Sequence, residues 1–148
     1  QKAKTKGLGI TVHAGEPNSP DAPLNIITSI KKLGADRIGH GVQAIKDPKV
    51  IDVLVETDTP LELCPTSNVL TKAVDSIEDH PVKKLMELGV KTTLNSDDPG
   101  VMGITLMTEY ENAYKVLNMS IEQLEQCNRW AAEASFICKE KKEKVWPL

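Results

Sequence analysis

The chain has 148 residues, of which 40% are hydrophobic and 26% are charged, and this composition is ordinary for a single globular domain with its own core. The formal net charge of −3 leaves no basic stripe that could follow a phosphate backbone, so nucleic-acid binding is disfavoured. No apolar stretch reaches the roughly 18 residues that a membrane span requires, so a membrane partner is also disfavoured.

Strand and helix patterns alternate from the start of the chain. Residues 1–6 are typical of the basic last turn of a helix, which Gly7 would cap. Residues 8–12 form a β-branched run that predicts the first strand. Apolar residues spaced for one face predict a helix over 22–33, and a very short strand is expected at 37–39.

The alternation continues through two more strands. Asp47 followed by a proline predicts the start of the next helix, and residues 61–64 predict the third strand. We expect a loop over 65–68, then a helix that His80 caps. Residues 90–94 predict the fourth strand. Strands that alternate with helices in this way imply a parallel sheet with crossover connections.

Only helices are predicted after the fourth strand. One helix is expected over 104–117, and the sequence from Ser120 to Gln123 predicts a capping box at the start of another. Residues 139–145 predict a short charged helix on the surface. The aromatic residues expected to pack among these helices are Trp130, Phe136 and Trp146.

Four parallel strands cannot close an eight-stranded barrel, and alone they leave two open sheet edges and an exposed barrel-interior face. The fold class that we expect is therefore α/β, specifically the C-terminal half of a TIM-like (β/α)8 barrel with strands 5–8, their helices and further C-terminal helices. Residues 1–148 would then form one partial domain whose N-terminal half is missing.

Ionisable side chains follow three of the predicted strands. His13 and Glu16 follow the first strand, His40 follows the second, and Asp97 and Asp98 follow the fourth. The C-terminal ends of barrel strands are where such enzymes assemble their chemistry. Two imidazoles, a lone carboxylate and a carboxylate pair are the parts of a metal-dependent hydrolase.

Each of these motifs also has a purely structural interpretation. Gly15 allows the backbone to turn so that Glu16 faces a cleft, but the same pattern is found where a solvated glutamate ends a strand. His40 lies between two glycines and could be a satisfied core histidine. Asp97 and Asp98 repel each other unless a cation or donors compensate them, but they could equally form a helix-capping loop.

The three cysteines are Cys64, Cys127 and Cys138, and their scattered spacing lacks any CxxC pair. Such cysteines indicate reduced thiols in an intracellular compartment, and we expect them to act as small buried hydrophobes. The first residues show no signal-peptide pattern, so a cytoplasmic location is expected.

Taken together, four motifs occur in a recognisable order. VHAGE at 12–16, RIGHG at 37–41, LCPTSN at 63–68 and NSDDP at 95–99 resemble the C-terminal half of the adenosine deaminase family, a zinc-dependent branch of the amidohydrolase barrels. The resemblance covers nearly the whole chain. An H-x-x-E motif without CxxC excludes the other zinc deaminase site, which uses H-x-E with P-C-x-x-C.

The resemblance implies a role for each residue of these motifs. His13 and Asp97 would be ligands of one zinc ion, whose remaining ligands are a His-x-His pair that this chain lacks. Glu16 would protonate the purine ring at N1, and His40 would orient or deprotonate the attacking water. Asp98 would form a hydrogen bond with purine N7.

Three further residues would surround these groups. Gly15 would border the substrate, and Cys64 and Ser67 would line the pocket behind the residues that touch zinc and purine. The partners implied are a small purine nucleoside and the missing N-terminal half.

The implied reaction is the hydrolytic deamination of adenosine and deoxyadenosine to inosine and ammonia by a zinc-activated hydroxide, as in purine salvage. Alternatives are the same chemistry on adenine or an adenylate, a non-catalytic fragment that binds its missing half, and another metal hydrolase acting on lactones, amides or phosphotriesters. We expect the chain alone to be inactive, because it carries only two of the zinc ligands.

Overall fold

A parallel sheet of four strands organises the protein, and the computed structural model describes residues 2–145. The strands lie side by side in chain order. Their bounds are β1 Thr11–Ala14, β2 Arg37–His40, β3 Leu61–Leu63 and β4 Thr92–Leu94. This arrangement confirms the predicted parallel sheet, and the helical connections between its strands confirm the predicted α/β class.

Eight α-helices are found in the described part of the chain. They are α1 Ala22–Thr28, α2 Pro48–Glu56, α3 Pro65–Leu70, α4 Val82–Glu87, α5 Pro99–Met102, α6 Leu106–Lys115, α7 Ile121–Ala134 and α8 Lys139–Val145. A π-helical segment, Ser29–Leu33, continues α1, and 3-10 segments span Lys4–Lys6 and Val42–Lys46. Within residues 2–145, none of these helices has the length and apolar character that crossing a bilayer requires.

Two of the predicted helix starts are confirmed by their side-chain caps. The Asp47 carboxylate accepts a hydrogen bond from the backbone N–H of Lys49 at 2.9 Å. Ser120 and Gln123 form the predicted capping box, each side chain accepting from the other residue's backbone N–H. Such caps satisfy backbone donors that a helix leaves unpaired, and they are worth about 1 kcal/mol each.

The core lies between one face of the sheet and the helices. Ile38, Leu61 and Leu63 point from the strands to this side and are fully buried, and they pack in one cluster with Ile26 of α1 and Leu54 of α2. Because side chains alternate along a strand, the residues between them lie on the opposite face.

The opposite face, which would line the barrel interior, is polar. Thr11 donates its hydroxyl to one Glu62 oxygen at 2.7 Å, and Arg37 Nε lies 3.2 Å from the other. Thr11 is exposed, while Arg37 and Glu62 are partly buried. The sheet therefore presents a hydrophilic surface where the predicted missing half would pack.

Several predicted elements differ from the structure, among them β2, which extends to His40, so His40 ends this strand instead of following it. The first strand begins at Thr11, so His13 lies within β1 instead of following it. Residues 65–68, predicted as a loop, belong to α3, because Pro65 occupies the first helical position, where its fixed φ and missing N–H cost nothing. The Asn68 N–H bonds to the Cys64 carbonyl at 2.9 Å and closes the first turn.

Three smaller predictions concern cysteine and aromatic side chains. Cys138 is exposed and precedes α8, so the expectation that it is buried was wrong, whereas Cys64 and Cys127 are buried as expected. Phe136 is half exposed, and the Arg37 guanidinium lies over its ring, 3.9 Å from the ring centre. Trp146 lies outside the described residues.

Replacing Gly41 by alanine is expected to destabilise the fold more than replacing Gly103. Both glycines have left-handed φ values, +71° and +66°, which cost an alanine about 1–2 kcal/mol. A Cβ at Gly41 would lie 2.5 Å from the buried Leu61 side chain, adding about 1–3 kcal/mol of overpacking, whereas a Cβ at Gly103 meets nothing within 4 Å. Urea unfolding of the two variants measures the difference, and equal losses would contradict this packing.

His80 anchors the start of α4 from a buried position. Its Nδ1 accepts a hydrogen bond from the N–H of Val82, the first residue of α4, at 3.3 Å, while the N-cap position itself is Pro81 and not His80 as predicted. Its Nε2 lies 3.1 Å from the Asn68 Oδ1 atom. Burial lowers the pKa of His80 from 6.5 to about 4, so the imidazole is neutral at pH 7.

Acidification is therefore expected to weaken the fold through His80. The His80 imidazole binds a proton near pH 6.5 in the unfolded state and only near pH 4 in the folded state. The stability of the fold is therefore unaffected by His80 above pH 6.5 and declines as the pH falls from 6.5 to about 4. We expect His80 to account for a loss of about 2–3 kcal/mol between roughly pH 7 and pH 4.5. Urea unfolding of wild type and of His80→Gln, which does not titrate here, measures it. An identical pH dependence in the two proteins would rule out this contribution.

Candidate active site

Three of the predicted site residues meet at the C-terminal ends of β1 and β2. His13 Nε2 lies 3.0 Å from Glu16 Oε2, and His40 Nδ1 lies 3.5 Å from Glu16 Oε1. The two imidazole rings are tilted against each other, with centroids 4.4 Å apart. Glu16 and His40 are buried, whereas the His13 side chain is 64% exposed. The Glu16 carboxylate thus lies between the buried imidazole of His40 and the accessible imidazole of His13.

Left-handed backbone conformations direct these side chains. Gly15 has a φ of +71°, and a Cβ there would lie 2.4 Å from the buried Ile26 side chain. His40 and Asp97 adopt φ values of +63° and +54°, which are unfavourable for residues with a side chain. Such conformations cost about 1–3 kcal/mol each and concentrate at functional sites. Gly15 therefore has a structural reason to be glycine, and its predicted substrate contact stays a prediction.

Asp97 approaches the other side of His40. Its Oδ2 lies 3.7 Å from His40 Nε2 and accepts a 2.7 Å hydrogen bond from the Ser67 hydroxyl. Burial lowers the pKa of His40, and the neighbouring His13 also lowers it, against the opposing effects of Glu16 and Asp97. A neutral His40 therefore lies between two carboxylates, with one ring nitrogen facing each.

Cys64 lies next to this group as a neutral thiol. Burial and the nearby carboxylates, Asp97 foremost, raise its pKa to about 12. The thiol donates a weak hydrogen bond to the Glu62 carbonyl, with sulfur and oxygen 3.6 Å apart. An open cavity of about 400 Å³ borders Cys64, His40 and Asp97, which is a volume within the usual range for small-molecule sites. Cys64 borders this cavity and Ser67 contacts Asp97, and their predicted roles behind the substrate stay predictions.

Asn68 of helix α3 and Thr71, which follows the helix, make three contacts with the site. The Asn68 amide nitrogen lies 3.1 Å from Glu16 Oε1 and 3.1 Å from His40 Nδ1, and the residue is fully buried. The Thr71 hydroxyl donates to the same Glu16 oxygen at 2.9 Å. A helical interpretation of residues 65–70 would have placed Cys64, Asn68 and Thr71 on one face, because residues three and four apart are neighbours on a helix.

Helix α3 is itself fixed by a buried acid of α6. Glu109 accepts the Thr66 N–H with both carboxylate oxygens 3.2 Å from the nitrogen, at the first turn of α3. The residue is fully buried, and burial raises its pKa, against the lowering effect of the hydrogen bonds to Thr66. Asn112, one turn later in α6, reaches the Thr66 hydroxyl at 3.5 Å. These contacts hold Ser67 and Asn68 in place beside the site.

Asp98 is exposed and has a different local setting from Asp97. Its backbone carbonyl accepts hydrogen bonds from Val101 and Met102 at 3.0 Å, as the residue that begins α5. This is the helix-capping geometry that the sequence left open. The predicted contact of Asp98 with purine N7 stays a prediction.

Two sets of side chains in the described chain are close enough to hold a metal ion. One comprises His13, Glu16 and His40, and the other comprises His40, Cys64 and Asp97, with ligand atoms within 4.8 Å of one another in each set. Imidazole nitrogens and carboxylate oxygens are donors that suit a divalent metal such as zinc. The donor chemistry of each set therefore fits a metal. The predicted ligands His13 and Asp97 fall in different sets, on either side of His40.

Sequence comparison supplies close relatives over almost the whole chain. The family model described as adenosine deaminase matches residues 1–147. An adenosine deaminase of Clostridium acetobutylicum is 44% identical over 138 residues, which cover 93% of this chain and 40% of that protein. One of Vibrio parahaemolyticus is 44% identical over 149 residues, covering 98% and 44%. The chain therefore spans less than half the length of these relatives.

Solved structures share the same architecture. Adenine deaminase from Arthrobacter aurescens superposes with a TM-score of 0.91 and 32% identity, over 99% of this chain and 44% of that one. The structural relatives of this chain are deaminases of the amidohydrolase TIM-barrel class. The match confirms that this chain has the architecture of a C-terminal barrel half. Together with the family model, these matches show that the chain belongs to the adenosine deaminase family.

Proposed function

We propose that this chain is the C-terminal part of an enzyme that hydrolyses adenosine and deoxyadenosine to inosine or deoxyinosine and ammonia. The observation that carries the proposal is the meeting of Glu16, His40 and Asp97 at the C-terminal edge of the sheet, at distances of 3.5 and 3.7 Å. A carboxyl and an imidazole in this position can handle the two protons that move in the reaction. The relatives named adenosine deaminase support the substrate.

The side chains of this chain would handle protons and orient the ring. Glu16, in its protonated form, donates a proton to purine N1, which makes C6 a better acceptor for water. His40 orients the attacking water or removes its proton. Asp98, in its protonated form, donates a hydrogen bond to N7, and Gly15 borders the ring. The C6–O bond forms, the C6–N bond breaks, and the amino group leaves as ammonia, so one water is consumed for each purine.

His13 and Asp97 are the residues that would hold one zinc ion, with the remaining ligands supplied from outside this chain. Catalytic zinc sites use three or more protein ligands, and these two residues are too few on their own. When bound, zinc supplies Lewis acidity that makes water available for attack at neutral pH. Ser67, which donates to Asp97 Oδ2, would hold that carboxylate in a fixed orientation.

Adenine and adenylates are the alternative substrates. A structural relative is an adenine deaminase, and another, 30% identical with a TM-score of 0.82 over 97% of this chain and 41% of that one, is an N6-methyl-AMP deaminase from Arabidopsis thaliana. We favour the free nucleoside because the net charge of −3 offers little attraction to a phosphate.

The missing half of the barrel is the partner that we propose for the sheet. β1 and β4 each have a neighbouring strand on one side only in the described chain. A second set of strands would pair with both edges and cover the polar face. The free thiols fit purine salvage in the cytoplasm, since that compartment keeps cysteines reduced. A non-catalytic fragment that only binds its other half is the competing proposal.

Glu16→Gln in the full-length protein is expected to lower kcat for adenosine by about 100-fold or more, because a positioned acid contributes about 10²–10⁴-fold. The decrease in purine absorbance as inosine forms measures it. Glu133→Gln, a neutral control for an exposed glutamate, should retain wild-type kcat. A zinc chelator should abolish wild-type activity, and added zinc should restore it. Undiminished turnover by Glu16→Gln would contradict the role of this acid.

The 148-residue chain alone is expected to show no useful deamination, because it provides only two of the zinc ligands. Co-expression with the upstream half should restore activity, and the same assay applies. Turnover by the isolated chain would overturn the division of ligands proposed here. Two halves that associate, bind zinc and turn over no purine would favour the non-catalytic alternative.

A further inference from the structure

We propose that His80 and Asn68 form a positioning pair that sets which atoms of His40 and Glu16 carry protons. The proposal deepens the function proposed above and rests on it for its catalytic consequence. Among the contacts of the described chain, Asn68 is the only link from His80 to the site. Both side chains are buried.

The direction of each hydrogen bond follows from one backbone donor. The Val82 N–H can only donate, so His80 Nδ1, 3.3 Å away, accepts and carries no proton. A neutral His80 then has its proton on Nε2 and donates to Asn68 Oδ1 at 3.1 Å. The Asn68 amide nitrogen therefore faces the active site, where it donates to Glu16 Oε1 and to His40 Nδ1.

The reversed Asn68 amide would break this chain of bonds at both ends. Its oxygen would face the Glu16 carboxylate and leave two acceptors in contact, and its nitrogen would face the Nε2–H of His80 and leave two donors in contact. Unsatisfied polar groups in a buried site are costly, because they lose their bonds to water and gain none in return. In the observed orientation, the amide oxygen accepts one bond and both amide hydrogens are donated, so the side chain is fully satisfied.

The pair assigns opposite roles to the two active-site groups. Since His40 Nδ1 accepts from Asn68, the neutral ring has its proton on Nε2, the atom that faces Asp97 at 3.7 Å. His40 thus enters the reaction as a donor toward the attacking oxygen, and orients it. Glu16 Oε1 accepts from Asn68 and Thr71, so a proton on this carboxyl would lie on Oε2, the oxygen that is 3.0 Å from His13 Nε2.

The test compares His80→Leu, which removes both ring nitrogens, with His80→Gln, whose amide can still donate to Asn68. Leu85→Val, a change at a fully buried residue of α4, is the control for loss of packing near His80. All are made in the full-length protein. Imidazole ¹⁵N NMR reports the protonated nitrogen of His40 directly, and steady-state kinetics with adenosine separates kcat from KM.

We expect wild type to show His40 protonated on Nε2, with the same tautomer in His80→Gln and Leu85→Val. His80→Leu should give a mixture of tautomers and a kcat lower by about 10–100-fold with little change in KM, as for partners that orient a reactive imidazole. His80→Leu combined with Asn68→Ala should cost no more than Asn68→Ala alone, because His80 acts through Asn68.

Several results would overturn the proposal. These are a wild-type His40 protonated on Nδ1, a His80→Leu variant with an unchanged His40 tautomer, and a loss of kcat in Leu85→Val equal to that in His80→Leu. A wild-type protein inactive on every purine would contradict the proposed function instead. The NMR comparison would then still decide whether His80 and Asn68 fix the tautomer.

Discussion

The site depends on one buried amide. Asn68 contacts groups from three separate parts of the chain, namely Glu16 after β1, His40 at the end of β2 and His80 before α4. In a protein interior, where water is excluded, each of these bonds is stronger and each missing bond is costlier than in solvent. The amide can satisfy all its partners in only one orientation, so the backbone segments that carry them are held in one arrangement.

That constraint explains why a short helix follows β3. Helix α3 places Ser67 against Asp97 and Asn68 against Glu16, so a single turn serves both carboxylates. Glu109 of α6 holds the start of the helix from behind. The left-handed conformations of His40 and Asp97 are tolerated because the surrounding contacts determine their positions, at a cost in stability that is common at functional sites.

Much of this organisation could be predicted from the sequence, because periodicity and turn residues specify local structure. The four strands, the capping box at Ser120 and the strand-end placement of Glu16, His40 and Asp97 follow from patterns of a few residues. The helix over 65–70 could not be recognised, since Pro65 and Ser67 are as typical of loops as of a helix start. The contacts of Asn68 are beyond a sequence pattern, because its partners are 12, 28 and 52 positions away.

We propose that this chain contributes the acid, the orienting imidazole and two metal ligands to a hydrolytic deaminase. The most direct test is to supply adenosine to the full-length protein in water enriched in oxygen-18 and to analyse the products by mass spectrometry. We expect inosine that carries one oxygen-18 atom at C6, with one ammonia released per inosine. Inosine without the label, or adenosine recovered unchanged from a folded, zinc-loaded protein, would contradict it.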